Sequence, residues 1–290
     1  MKVSGFTIIR NAVKYDYPAK ESIMSVLPAV DEFIVLVGNS EDETIELIKS
    51  IDSDKIKIYH SVWDDNLRQG GKVLADETNK AFNLISQDSD WCFYIQADEV
   101  MHEKYIPIVK EEMNKWKENQ NVDGLLFNYH HFYGSYDYIG ESYRWYRKEI
   151  RIIRNNKNIY SYLDAQGFRK NDNQKLNVKL LPAYIYHYGW VREPQKLQQK
   201  TEHFSKFWHS DDWIDQNIKK ADEFDYSEVD ALEKFNGTHP NVMIDRINRK
   251  NWQFDYDLSK KKYSTKDIIR KIGEKLTGKI IGEYKNYKII

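Results

Sequence analysis

The first hundred residues alternate between short apolar runs and segments whose apolar positions recur every three or four residues. "GFTIIR" and "EFIVLVG" are strand-like runs, and between them "AKESIMSVLP" sets Ile23, Val26 and Leu27 on one helix face. The cycle then repeats. "SEDETIELIKSI" opens with Ser40 and a cluster of acids suited to a helix N-terminus, and "KIKIYH" is a short strand. Leu74, Thr78, Ala81, Phe82 and Ile85 space out as one helix face, and "WCFYIQADEV" reads as the fourth strand. Strands without apolar–polar alternation, separated by helices, predict a parallel sheet covered on both faces, so the fold class is α/β.

Beyond residue 120 the texture changes. "VDGLLFNYHHFYGS", "EIRIIRN", "NIYSYL" and "VKLLPAYIYHYGW" read as strands without clear intervening helices, so the sheet is expected to become mixed. From Pro194 the pattern is helical again, in "QKLQQKTEHFSKFWH" and "STKDIIRKIGEKLTG". The latter starts with Ser264 and Asp267 at capping-box spacing and aligns Ile268, Ile272 and Leu276. The expected organisation is one domain over 1–193, in halves 1–100 and 101–193, followed by a mainly helical extension over 194–290.

At 290 residues and 41% hydrophobic content the chain can bury a substantial core. Its 44 basic and 45 acidic side chains cancel to a formal net charge of −1, which gives no electrostatic case for a nucleic-acid partner. The single Cys92 sits in an apolar run and reads as a buried thiol, with nothing pointing to an oxidising compartment. The opening "MKVSGFTIIRNA" has no long apolar core, and no stretch approaches the ~18 apolar residues of a membrane span, so a cytoplasmic protein is expected. Aromatic content is high, with 21 Tyr and 8 Trp. Such side chains fill cores and also offer flat surfaces to sugars and bases.

Ligands of open α/β sheets sit outside the carboxyl ends of the strands, where Asp98 and Glu99 follow the fourth run. Carboxylates there are hard ligands for Mg2+ or Mn2+. Equally, acids at that place cap a following helix, here "EKYIPIVKEEM".

The ordered set "FTIIRNA", "EFIVLVGNSEDET", "LADETNKAF" and "FYIQADEV" resembles the family 2 glycosyltransferases of the GT-A fold, over about residues 4 to 190. The likeness is to the branch that modifies lipopolysaccharide cores and other surface glycans. The resemblance implies a mixed mononucleotide-binding sheet flanked by helices, a UDP- or GDP-sugar donor, a glycan or glycolipid acceptor, inversion at the sugar, and a divalent metal. "QADE" stands where the family has D-x-D. Asp98 then corresponds to the metal-binding acid, and Gln96 replaces the first acid, where its amide can still meet ribose or phosphate. Val37 replaces the family's base-contacting acid, which Asn39 could substitute, while Ser40 and Asp42 match an S-x-D pattern. Arg10 and Asn11 match the position that touches base and ribose. His187 in "YIYHYGW" corresponds to a histidine near the metal or diphosphate.

Inverting transfer also needs a carboxylate base. Glu141, Glu149 and Asp164 are the candidates, and the likeness of "EIRIIRNNKNIYSYLDAQGF" to the family's E-x-R-x-F-R … G-x-x-H-E region favours Asp164. An Asp before "AQG" is also a common turn former. Arg154, and with it Arg151, is expected either at the diphosphate or on an ion-paired strand face. Residues 127–146 hold nine aromatics, and the expectation is a mobile acceptor loop in which Tyr133, Tyr136 and Trp145 stack on sugars. The alternative is a packed hairpin.

Residues 259–290 carry ten basic side chains against three acids, suited either to a docked helix with a solvated face or to an anionic membrane surface. Two other functions fit the same fold. A sugar-phosphate nucleotidyltransferase would need a glycine-rich phosphate loop after the first strand, which "IIRNAVKYDYP" lacks. A catalytically inactive nucleotide-sugar- or glycan-binding protein is compatible with Gln96 and Val37.

Overall fold

The computed structural model describes residues 1–67, 69–218, 220–227, 229–278 and 284–290. The N-terminal half runs β1 (Val3–Ile9), α1 (Ala19–Val26), β2 (Glu32–Val37), α2 (Thr44–Lys49), β3 (Ile56–His60), α3 (Lys72–Asn83) and β4 (Trp91–Tyr94). Its strands lie parallel in the order β3-β2-β1-β4. Every residue of β1, β2 and β4 is buried, which is why these strands read as continuous apolar runs. Phe33, Val35 and Val37 pack with Ile23, Val26 and Ile48 on one face, and Ile34 and Leu36 pack with Leu74, Ala81 and Phe82 on the other. Chain order reverses between β1 and β4, a topological switch point that opens a crevice at their carboxyl ends.

The second half adds β5 (Glu99–Met101), α4 (Ile106–Trp116), β6 (Gly124–Tyr133), β7 (Tyr138–Gly140), β8 (Lys148–Arg154), β9 (Ile159–Tyr162), β10 (Gly167–Lys170) and β11 (Gln174–Trp190). The sheet continues β4-β8-β6-β11, with β8 antiparallel to both of its neighbours and β6 parallel to β11. This is the mixed sheet flanked by helices that the sequence predicts. From Pro194 follow α5 (Pro194–Ser205), α6 (Asp211–Asn217), β12 (Leu232–Lys234), α7 (Ile244–Asn248), α8 (Thr265–Thr277) and β13 (Tyr287–Ile289). The segment is not wholly helical, since β12 extends the sheet at β7 and β13 pairs with β11.

Three expectations change. The fourth strand stops at Tyr94, and Asp98 and Glu99 do not cap α4, whose N-terminus falls at Tyr105 with no side-chain cap. The aromatic stretch 127–146 is largely the packed β6–β7 hairpin, with Phe127, Phe132, Tyr133 and Tyr136 buried. Helix α8 is docked through its charged face. Glu274 accepts from Arg147 and Tyr143, and Lys271 donates to Glu141, while Ile268, Ile272 and Leu276 face outward. Lys279 and Glu283 of the basic tail lie outside the described residues. No helix among the described residues is long and apolar enough to cross a membrane.

Candidate active site

A cavity of about 560 Å³ opens over the carboxyl ends of β1 and β4. Between β4 and β5 the chain makes a tight turn, in which Glu99 N donates to Gln96 O and Gln96 N to the Glu99 carboxylate. Register does the rest. Glu99 on β5 pairs with His187 on β11, which pairs on its other side with His131 on β6, and Tyr188 N donates to Asp98 O at 2.8 Å. The Asp98 carboxylate thereby comes within 3.7 Å of His187 Nε2.

Hydrogen-bond chemistry fixes the histidine tautomers. His131 Nε2 lies 2.7 Å from the Tyr146 carbonyl oxygen, which can only accept, so Nε2 carries the proton. Burial drives the pKa of both His131 and His187 below its ordinary value, so each ring is neutral with a single N–H. His131 Nδ1 is then an acceptor, and His187 Nδ1, 3.2 Å away, donates to it. His187 Nε2 is left with a lone pair facing the Asp98 carboxylate. Two electron-rich atoms 3.7 Å apart suit a cation between them. Gly189 keeps that space open, because a Cβ there would lie 2.8 Å from His187 Nε2 and 2.9 Å from Asp98 Oδ2. Asp98 and His187 therefore fit a divalent metal as a two-residue site. No cluster of three or more His, Cys, Asp or Glu among the described residues is placed to hold one.

Positive charge surrounds the same spot. Lys200 on α5 donates to Gly189 O at 3.0 Å and stands 3.3 Å from Asp98 Oδ2. Arg192 donates to the Gly189 and Tyr15 carbonyls and stacks on Tyr17. Burial alone would raise the Asp98 pKa, but these cations, Lys200 first, outweigh it and hold the carboxyl well below the ordinary range. Burial, helped by Arg192, pulls the Lys200 ammonium down to about 7. At the rim Arg10 pairs with Asp65 at 3.0 Å and lies over Trp63. Trp63 in turn covers Gly38 so closely that a Cβ there would sit 2.4 Å from its Nε1.

Asp164 lies where this cavity meets a second one of about 280 Å³ lined by Tyr143, Glu149, Tyr162 and Arg270. Its neighbours Leu163 and Ala165 have φ of 52° and 60°, left-handed values that cost non-glycine residues energy. The turn is held by Gln96 Nε2, which donates to Ala165 O, and by Arg151 Nη1, which donates to Gln166 O. Burial raises the Asp164 pKa, which strengthens it as a base. Glu149, wholly buried beside it, is pushed up to about 8, mainly by burial.

The structure thus brings Arg10, Gln96, Asp98, Trp145, Asp164 and His187 to one cavity. Other expected residues lie elsewhere. Asn11 is buried, with its carboxamide oxygen accepting from Glu41 N, and ties the end of β1 to the loop before α2. Asn39 is exposed outside the lining, and its carboxamide oxygen accepts from the Trp63 backbone N, so it meets the cavity wall at the Trp63 main chain. Arg154 donates to the carbonyls of Trp116, Lys117, Asn119 and Val122 and stacks on Trp91. Because β8 runs antiparallel to β4, its last residue pairs with the first of β4, at the sheet end away from the cavity. Tyr133 and Tyr136 pack in the core around β6. Glu141 is engaged by Lys261 and Lys271, and Glu99 by Arg151.

Sequence reasoning passed over Lys200, His131 and Trp63. The signal for Lys200 is a lysine between Leu197 and Phe204 on the inward face of α5; the signal for His131 is its place in β6, in register with His187.

No protein-family model matches the sequence, and no curated protein matches it. Among solved structures, the chain is similar to S. aureus TarS 1–349, at 15% identity over 77% of this chain and 67% of that one, with a TM-score of 0.42. TarS 1–349 in complex with UDP gives a TM-score of 0.41 at 15% identity, covering 77% and 68%. Glucosyl-3-phosphoglycerate synthase from Mycobacterium tuberculosis, in complex with Mn2+, UDP and phosphoglyceric acid, is 16% identical over 45% of this chain and 43% of that one, with a TM-score of 0.31. Likenesses of this size leave the function to be argued from the site itself.

Proposed function

We propose that the protein transfers a sugar, with inversion, from a nucleoside-diphosphate donor of the UDP or GDP type to a glycan or glycolipid acceptor. The observation that carries this reading is the pairing of Asp98 with the free lone pair of His187 Nε2, inside a cationic cavity at the switch point of the sheet. Asp98 and His187 would hold Mn2+ or Mg2+. Such an ion supplies charge compensation for the departing diphosphate.

The chain's own residues do the remainder. Lys200 and Arg10 attract the diphosphate, Gln96 offers its amide to ribose or phosphate, and the aromatic walls at Tyr15, Trp63 and Phe207 suit the flat face of a base. The acceptor enters from the smaller cavity past Trp145 and Tyr143. Asp164 takes the proton of the acceptor hydroxyl. The oxygen lone pair forms the new bond to the anomeric carbon on one face as the bond to the diphosphate oxygen breaks on the other, releasing the nucleoside diphosphate.

The test is a donor screen that follows nucleoside diphosphate release with and without Mn2+, for the native protein and Asp98→Ala. Release from one donor class, lost by roughly 10²–10³-fold in the variant while its circular dichroism is unchanged, is the expected result. Binding of a nucleotide sugar by calorimetry with no turnover under any condition would instead favour an inactive binding protein. Near-native release by Asp98→Ala would overturn the role of that carboxylate.

A further inference from the structure

Helix α8 is oriented opposite to a surface helix of an ordinary globular domain. Its charged side meets the protein: Glu274 accepts from Arg147 and Tyr143, Lys271 donates to Glu141 and Tyr263, and Arg270 lies over the Tyr143 ring. Its apolar side faces out. Ile268, Ile269, Ile272 and Leu276 are 48%, 63%, 56% and 79% exposed. At 100° per residue these four span an arc of about 100°, a width that globular proteins bury against a core. Exposed Lys266 and Lys275 border the stripe on either side, and its acids Asp267 and Glu274 lie on the opposite side of the helix.

We infer that α8 is an in-plane membrane anchor, laying its Ile268–Leu276 stripe into the surface of an anionic lipid bilayer. The charge pattern selects this occupant. A second copy of the chain would bring two lysine-bordered stripes together, whereas acidic headgroups complement the lysines while the stripe enters the acyl boundary. At 13 residues the helix is about 20 Å long, enough to lie in the interface and too short to cross it. The placement also has a bearing on access. Arg270, on the inner side of α8, lines the smaller cavity that leads to Asp164, so an anchored helix would hold the mouth of that cavity near the headgroups. Membrane binding is independent of the transfer reaction and stands or falls without it.

Vesicle flotation of the full chain tests this, with phosphatidylcholine vesicles and with vesicles containing phosphatidylglycerol. The native protein is expected to float with the anionic vesicles at low salt and to be released by high salt. Ile269→Asp/Leu276→Asp and, separately, Lys266→Glu/Lys275→Glu should each reduce partitioning by roughly ten-fold or more, with unchanged circular dichroism, because all four side chains are exposed. Absence of flotation by the native protein would overturn the proposal, as would undiminished flotation of the Ile269→Asp/Leu276→Asp variant. A dimer in solution that this variant converts to a monomer would also overturn it, and would assign the stripe to an interface between copies.

Discussion

Glu99 and Arg151 form a two-point ion pair with no exposure on either side: Nε meets Oε2 and Nη2 meets Oε1, each at 2.7 Å. Tyr129 adds a third donor to the same carboxylate at 2.8 Å. Arg151 also donates to Gln166 O, so one buried pair ties the turn bearing Asp98 to the turn bearing Asp164. Removing one partner leaves the other charged and buried, and Arg151→Met is expected to cost about 3–5 kcal/mol in chemical denaturation. Glu99→Met/Arg151→Met should regain much of that stability. Its transfer rate should remain low, because the Gln96 amide on Ala165 O is then the one remaining hydrogen bond described between the two turns.

The hydrogen-bond chain from His187 to His131 to the Tyr146 carbonyl predicts that His131 tunes the affinity of the proposed metal site without being a ligand. His131→Ala should weaken Mn2+ activation by roughly 10–100-fold, with the rate recovering at saturating Mn2+. A manganese titration of nucleoside diphosphate release checks this. An unchanged activation constant would mean that His131 does not orient His187.

Asp164→Asn keeps the shape of the turn and removes the proposed base. Transfer to acceptor should fall by roughly 10²–10⁴-fold, while calorimetric affinity for the nucleoside diphosphate stays near the native value. Equal losses in both would assign Asp164 to donor binding.

Glu149 makes stability depend on pH. Its pKa is about 8 in the folded protein against an ordinary 4.5, so between those values the folded state holds a proton that the unfolded state has released. The contribution of Glu149 to stability is fully present below about pH 4.5 and is lost as pH rises to about 8, by on the order of a few kcal/mol. Glu149→Gln, always neutral, should flatten that decline. Urea midpoints of both proteins at pH 6 and pH 9 provide the comparison.

The parallel half was legible because strands buried on both faces carry an apolar run with no competing period, as in "EFIVLVG". Asp98 was legible for a related reason, since a charge just beyond such a run has nowhere to go but the rim. Strand direction was not. Periodicity is the same forward and backward, so nothing in "EIRIIRN" says that Glu149 rather than Arg154 faces the cavity. Composition misled at Tyr133 and Tyr136, where rings that could stack on sugars are used inside the protein instead: Tyr133 stacks on the half-buried Trp190, and Tyr136 packs tilted against the buried Tyr188. Lys200 stayed hidden because it reaches Asp98 from 102 residues away along the chain, a juxtaposition that no local pattern encodes.

The left-handed Leu163 and Ala165 set heat resistance against accuracy. Glycine at either position would relieve the backbone, so laboratory evolution under thermal selection alone would be drawn to those two codons. The survivors would melt later and aim their carboxylate less well, and a library screened for both traits would keep the costly residues.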